Sequence, residues 1–493
     1  MSWKTAALLA LCMHAALAAD EPAGVAAPIV THHTARIGAA RVAYTASFAA
    51  TVLKDANGVS QATISATSYT RDGVADLARR PVIFLFNGGP GASSSPLHFA
   101  ALGPRRIVEQ GSDRQLQDND DSPLDVADLV FIDPVGTGFS RVLPGGDGKP
   151  YWTMDGDARA ALALVRDWLH AHGRTASPVY LAGQSYGGFR LAMMTKYAQD
   201  LPLAGLVLVS PMLDASGTSE APGNDLPYIL GLPSMSALAW FHERIDRGGR
   251  TVEAQFAEAT RFAEGEYAAA LMQGSALPAA ERARIAARIA TLTGLPEAFI
   301  VAHDLRIGID AFRSQLLQSP RKTTLAEAGQ EVGSLDGRII AAKRPPKTAA
   351  QPSGDPSLVV SGSRAEFIKA YYRDALHVAD AAPDATYITL SFAVNGAWNW
   401  QARDEATGGL FYLNAAPHIA ALMRRQPGTR LMLAGGYYDL AVPYLGASYV
   451  LAHAGIDPRR IESVGFAAGH SPYDDAAGLH QFANAIRAFA GAR

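Results

Sequence analysis

Short unbroken apolar runs, separated by glycine-rich turns and by stretches of helical spacing, organise most of this chain. Pro81 to Phe86 is one such run, and Val126 to Ile132, apolar apart from Asp128, is a second buried segment. Each is short and rich in branched or aromatic residues, which predicts a buried strand. The first ends abruptly in Asn87-Gly88-Gly89-Pro90-Gly91, so a specialised loop follows it. Asp157 to His172 sets Leu162, Val165, Trp168 and Leu169 on one face at helical spacing. Val179 to Ala182 then reads as a strand, Phe189 to Gln199 as a helix and Leu203 to Val209 as a strand. The alternation resumes near the end. Pro417 to Arg425 is helical, Arg430 to Ala434 a strand, Leu445 to His453 a helix, Ile461 to Phe466 a strand and His480 to Phe489 a helix. Such alternation predicts βαβ units and an α/β fold, with a mostly parallel central sheet flanked by helices. Two earlier strands, Ala40 to Phe48 and Gln61 to Thr70, are joined through the turn Asp55-Ala56-Asn57-Gly58.

The middle of the chain breaks this pattern. From about Ser236 to Ala326 it is rich in Ala, Glu and Arg at helical spacing, without buried strand runs. Ala342 to Ser357 is a Pro-, Lys-, Gly- and Ser-containing stretch that reads as a surface loop. Residues 214–385 are therefore expected to form a mainly helical insertion in a core made of residues 20–213 and 386–493. Insertions of this kind commonly sit over an active site as a cap; a passive decoration is the alternative.

Composition narrows the classes. Apolar residues make up 48% of the 493, which is a globular composition. Acidic and basic residues number 46 and 43, with no basic stripe to engage nucleic acid. Residues 1–19 read as a signal peptide: Lys4 opens it, Ala6 to Ala18 is apolar, and Ala16-Leu17-Ala18 fits the small-x-small cleavage site. A secreted or periplasmic location follows, with no stable membrane insertion after cleavage. Cys12 is the sole cysteine, and Leu11 before it fits a lipidation signal poorly. Cleavage leaves a chain without disulfides, cysteine-bound metals or a cysteine nucleophile.

One turn carries candidate chemistry. Gly183-Gln184-Ser185-Tyr186-Gly187 fits a nucleophile elbow, and a strand enters it while a helix leaves it. Glycines two residues either side of the serine suit a turn so sharp that side chains there would collide. A serine hydroxyl needs a base to take its proton. His470, after the last strand, is the candidate base; His453 and His480 fall within expected helices. Asp439, after the preceding strand, is the candidate acid, with Asp214 as competitor. The backbone N–H groups of Tyr186 and Gly89 are the candidate oxyanion donors.

Asn87-Gly88-Gly89-Pro90-Gly91-Ala92-Ser93-Ser94 closely resembles the signature loop of serine carboxypeptidases, which have the α/β-hydrolase fold. Leu102-Gly103-Pro104, Asp133-Pro134-Val135-Gly136-Thr137-Gly138-Phe139-Ser140, the Ser185 turn, the Asp439 to Pro443 stretch and Gly469-His470 resemble that family in order and spacing. The likeness covers about Pro81 to Pro211 and Arg430 to Tyr473, and suggests a bacterial-type member. It implies removal of single residues from peptides with a free C-terminus, through an acyl-enzyme and in an acidic working range. It also implies that Asn87, Gly88 and Gln184 receive the substrate's terminal carboxylate. Three positions depart from the family: Gln184 and Ala101 stand where it has glutamates, and Ala92 where it has a cysteine. A glutamate donates a hydrogen bond to a carboxylate only while protonated, whereas an amide donates at any ordinary pH. Gln184 is thus expected to extend activity toward neutral pH, while Ala101 favours ester or amide substrates.

Gly89 to Ser94 lacks the third glycine of a dinucleotide loop, and no phosphate-loop lysine follows it. No cofactor and no metal are expected. His32-His33 reads as a solvated pair, and Trp398 and Trp400 as packing residues or the wall of a pocket. An esterase or acyltransferase on the same machinery is the alternative activity, and a catalytically inactive binding protein the alternative class. N-terminal sequencing of the exported protein should begin at Ala19 or Asp20; an intact Met1 would contradict the signal-peptide reading.

Overall fold

A computed structural model describes residues 27–110, 113–318, 329–342, 355–358, 363–378, 386–403, 410–411 and 413–491. The expected signal peptide lies outside the described residues. So does most of the stretch expected as a surface loop, although Asp355 and Pro356 at its end are buried.

Nine strands form the main sheet: β1 (Ile29–Ile37), β2 (Ala40–Lys54), β3 (Ser60–Arg71), β4 (Val82–Phe86), β5 (Asp128–Asp133), β6 (Val179–Gln184), β7 (Leu203–Val209), β8 (Arg430–Gly436) and β9 (Ile461–Phe466). Their order across the sheet is β1-β2-β3-β5-β4-β6-β7-β8-β9. The first three strands and β5 pair antiparallel, and every pairing from β5 to β9 is parallel. Strands β4, β5, β6 and β7 are buried at every position, because helices cover both faces of the parallel half. That is why β4 and β7 read as continuous apolar runs, while β5 and β6 carry polar residues only at their ends, Asp128, Asp133 and Gln184.

One face is covered by α1 (Met154–Ala171), α2 (Tyr186–Tyr197), α3 (Ala416–Arg425) and part of α4 (Tyr444–His453). Thr153 caps α1 by accepting from the Gly156 N–H at 3.0 Å, and Asp155 and Asp157 favour its N-terminus. The other face is covered by α5 (Ala476–Gly491), the turn of helix Pro96–Leu102 and the helix Ser363–Asp374. Tyr371 and Tyr372 of that last helix bond Tyr69 and Thr67 of β3, so it packs on the sheet itself.

Residues 226–315 form helices with a hydrophobic core of their own. Tyr438, Leu440 and Leu445 belong to that core, so it reaches the loops at the C-terminal edge of the sheet. Three short hairpins and β1 were not legible in the apolar pattern. β1 takes up His32 and His33; His33 stacks on Tyr44 with ring centroids 5.5 Å apart.

At the opposite edge of the sheet, Asp128 is fully buried between Arg80 (2.7 Å) and Arg174. Both arginines also donate to carbonyls, of Leu124 and of Arg80 respectively. Removing one partner from a buried pair leaves a charge without compensation. Asp128→Ala should lower unfolding stability by about 3–5 kcal/mol, read by urea denaturation.

Candidate active site

The parallel strands deliver four loops, after β4, β6, β8 and β9, to one edge. The first leaves β6 as the turn at Ser185, whose φ of +59° is left-handed. A non-glycine residue is strained there and persists only where the surroundings enforce it. The enforcement is close backbone approach. A Cβ on Gly183 would strike the Gly187 carbonyl, and one on Gly187 would lie 2.8 Å from the Phe86 oxygen. Helix α2 begins at Tyr186, so the Tyr186 N–H has no intrahelical partner.

The second loop leaves β4 and lies against this turn. A Cβ on Gly88 would sit 2.5 Å from the Tyr186 nitrogen. Gly89 has φ +102°, a conformation that glycine adopts without strain. The loop is held from below by Arg190 of α2, wholly buried, which donates to the Asn87 carbonyl at 2.6 Å and to Asp157 of α1 at 2.6 Å. It is strapped from above by residues 386–399, where the Ser391 N–H donates to Gly91 and Asn395 Nδ2 to Pro90.

The third region joins the ends of β8 and β9. His470 Nδ1 lies 2.6 Å from Asp439 Oδ2, and Asp439 is fully buried. Its other oxygen accepts from the Val442 N–H at 2.9 Å. Asp214, the competing acid, accepts instead from the Ser216 N–H at 2.6 Å and from the Ser216 hydroxyl. Gln184, next to Ser185, donates to the His470 carbonyl at 3.0 Å, which ties the elbow to the histidine loop.

Gln184 is saturated. Its oxygen accepts from Asn87 Nδ2 at 2.6 Å and from the Tyr473 hydroxyl. Its amide hydrogens go to the His470 carbonyl and, at 3.3 Å, to Ser471 Oγ. The donor that the resemblance assigns to a substrate carboxylate is therefore turned into the protein. Ala101 is buried in the turn of helix after the Asn87 loop. Trp398 and Trp400 pack edge-on against Tyr186, at 5.1 and 5.4 Å between centroids; Trp398 belongs to the core beside α2 and Trp400, half-buried, packs against it. Asp157, Arg190, Ser471 and Tyr473 were not singled out from the sequence. The first two carry a signal, being charged positions on the buried faces of helices; the last two carry none.

Burial alone would drive His470 neutral, but the adjacent Asp439 carboxylate outweighs it and holds the imidazole above its ordinary value. Asp474 adds to this pull, and burial beside Asp336 pushes Asp474 itself up to about 6. Arg338 and Arg364 act on Asp474 in the opposite sense. No group of three or more His, Cys, Asp or Glu side chains able to hold a metal occurs among the described residues.

The model of the serine carboxypeptidase family matches residues 70–216. This segment holds the Asn87 loop and the Ser185 turn. Pheromone-processing carboxypeptidase kex1 of Aspergillus terreus is 33% identical over 125 residues, which are 25% of this chain and 19% of that protein. Serine carboxypeptidase-like 36 of Arabidopsis thaliana is 32% identical over 145 residues, 27% of this chain and 29% of that protein. The chain thus spans less than a third of the length of these curated relatives. The solved structure of Kex1(Δ)p, a prohormone-processing carboxypeptidase from Saccharomyces cerevisiae, superposes with a TM-score of 0.55. It covers 90% of this chain and 91% of its own at 14% identity. The fold is that of an α/β-hydrolase.

A base must be neutral to accept a proton, so activity that depends on His470 falls as pH drops through its raised pKa. The kcat/KM of an ester substrate should reach half its maximum above about pH 6.5, the ordinary histidine value. A half-maximum at pH 5 would contradict this electrostatic account.

Proposed function

We propose that this protein is a serine hydrolase acting as a carboxypeptidase on peptides with a free C-terminus. The observation that carries the proposal is the buried Asp439–His470 pair, joined through Gln184 to a strained serine elbow. In this reading Asp439 orients His470 and stabilises its charged form. His470 takes the Ser185 proton as Oγ attacks the scissile carbonyl, then returns a proton to the leaving amine. The N–H groups of Gly89 and Tyr186 receive the oxyanion. Water, activated by the same histidine, then releases the acyl group.

A second activity is favoured by one observation. Both amide hydrogens of Gln184 are engaged within the protein, and Ala101 supplies no side-chain donor. One Nδ2 hydrogen of Asn87 is also spent, on Gln184, so its second hydrogen and the backbone N–H of Gly88 remain as the carboxylate donors of this reading, a weaker set, which favours esters and amides alongside peptides. No described helix is long and apolar enough to cross a membrane. The N-terminal sequence supports export to the periplasm or the exterior.

A fluorophosphonate probe should label the folded protein and not Ser185→Ala; equal labelling of both would refute the nucleophile. N-blocked dipeptides with free C-termini should be cleaved faster than their amides. Equal rates would favour the broader esterase and amidase activity.

A further inference from the structure

The two loops that carry Asp439 and His470 meet a third segment that belongs to neither. It is the tight turn Ser334-Leu335-Asp336-Gly337, between the short strands Gln330–Val332 and Ile340–Ala342. The Ser334 carbonyl accepts from the N–H groups of Leu440 (2.9 Å) and Ala441 (3.0 Å), next to the acid. The following carbonyl, of Leu335, accepts from the N–H of His470 itself at 2.7 Å. The Gly337 N–H donates back to Tyr438 at 3.1 Å. Two consecutive peptide units thus grip both loops through adjacent carbonyls. Gly469 is required at the junction, because a Cβ there would lie 2.7 Å from the Leu335 oxygen.

The turn is anchored from its other side by Asp355. Both carboxylate oxygens accept from the Ser334 N–H, at 3.1 and 3.0 Å. The same carboxylate takes the N–H and hydroxyl of Ser357, at 2.9 and 2.6 Å. Ser357 Oγ in turn accepts from the Leu335 N–H at 2.9 Å. Arg313, on the helix Ile309–Gln315, approaches Asp355 at 3.4 Å and Glu331 at 3.3 Å. All three charged groups are buried. Asp355 thus fixes the Ser334 N–H directly and the Leu335 N–H through Ser357, on one side of a segment whose carbonyls fix the two loops on the other.

We propose that Asp355 is a positioning residue, which sets the spacing of Asp439 and His470 by clamping the Ser334–Leu335 peptide. This rests on the triad reading above. The clamp also links the helical region, through Arg313, to the reacting groups. Sub-ångström precision is what such a link would supply, since a displacement of about 1 Å at a catalytic group costs about a hundredfold in rate.

The test compares wild type, Asp355→Ala, Asp355→Asn and Ser357→Ala, with rates expressed per site titrated by a fluorophosphonate. For Asp355→Ala, kcat on a nitrophenyl ester should fall at least about tenfold with KM within about twofold. The acid limb of the pH profile should move to lower pH, because a loosened Asp439 no longer holds His470 up. Asp355→Asn keeps one acceptor and should recover part of kcat. Ser357→Ala loses the Leu335 contact and should lose on the order of threefold. Where Asp355→Ala does not fold, Ser357→Ala and Asp355→Asn carry the same test. A folded variant with unchanged kcat per site and an unmoved acid limb would overturn the inference, since a purely structural clamp would alter only stability. A wild type that the probe does not label would instead bring down the nucleophile reading beneath it.

Discussion

Backbone packed against backbone, with no room for a side chain between, is the constraint on which this site depends. The turn at Ser185 presses Gly183 onto Gly187, and the loop after β4 presses Gly88 onto Tyr186. Such approaches are open only to glycine. They hold Ser185 in a left-handed conformation and bring the unpaired N–H at the start of α2 beside the Asn87 loop. The parallel sheet makes the arrangement possible, because neighbouring strands β4 and β6 end together at one edge.

Around this backbone contact lies a shell of buried polar groups, each holding one loop. Arg190, balanced by Asp157, carries the Asn87 carbonyl. Gln184 couples Asn87 to the histidine loop and Tyr473. Asp355 and Arg313 support the turn that touches both Asp439 and His470 loops. Buried polar groups are costly unless satisfied, so networks of this kind tolerate few alternative geometries. The saturated Gln184 shows the consequence: an amide that sequence comparison assigns to the substrate is consumed inside the protein.

The inner parallel strands were legible because strands buried on both faces read as apolar runs, as in β7, which matches the expected limits; β9 also matches them, although it is a half-exposed edge strand carrying Glu462 and Ser463. The elbow was legible because its glycines answer a steric need at fixed spacing. β1 was missed because it alternates at an exposed edge, with His32 and His33 where an apolar run would be sought. Asp355 was missed for a different reason. It lies in a stretch whose Pro, Gly and Ser content reads as loop, and its burial arises from partners 21 and 42 positions away in sequence. Local pattern carries no trace of such contacts. Asp439 and His470 lie 31 residues apart, and the order of strands together with the family resemblance, rather than any local pattern, pointed to them together.

The central claim is that the Asn87 loop must approach the Ser185 turn without a side chain between them. Its most direct measurement is the rate of phosphonylation of Ser185 by a fluorophosphonate in Gly88→Ala, with folding checked by thermal melting. The account predicts a loss of about 10²–10³, the size expected when an oxyanion donor is displaced. A folded Gly88→Ala that reacts at the wild-type rate would contradict it.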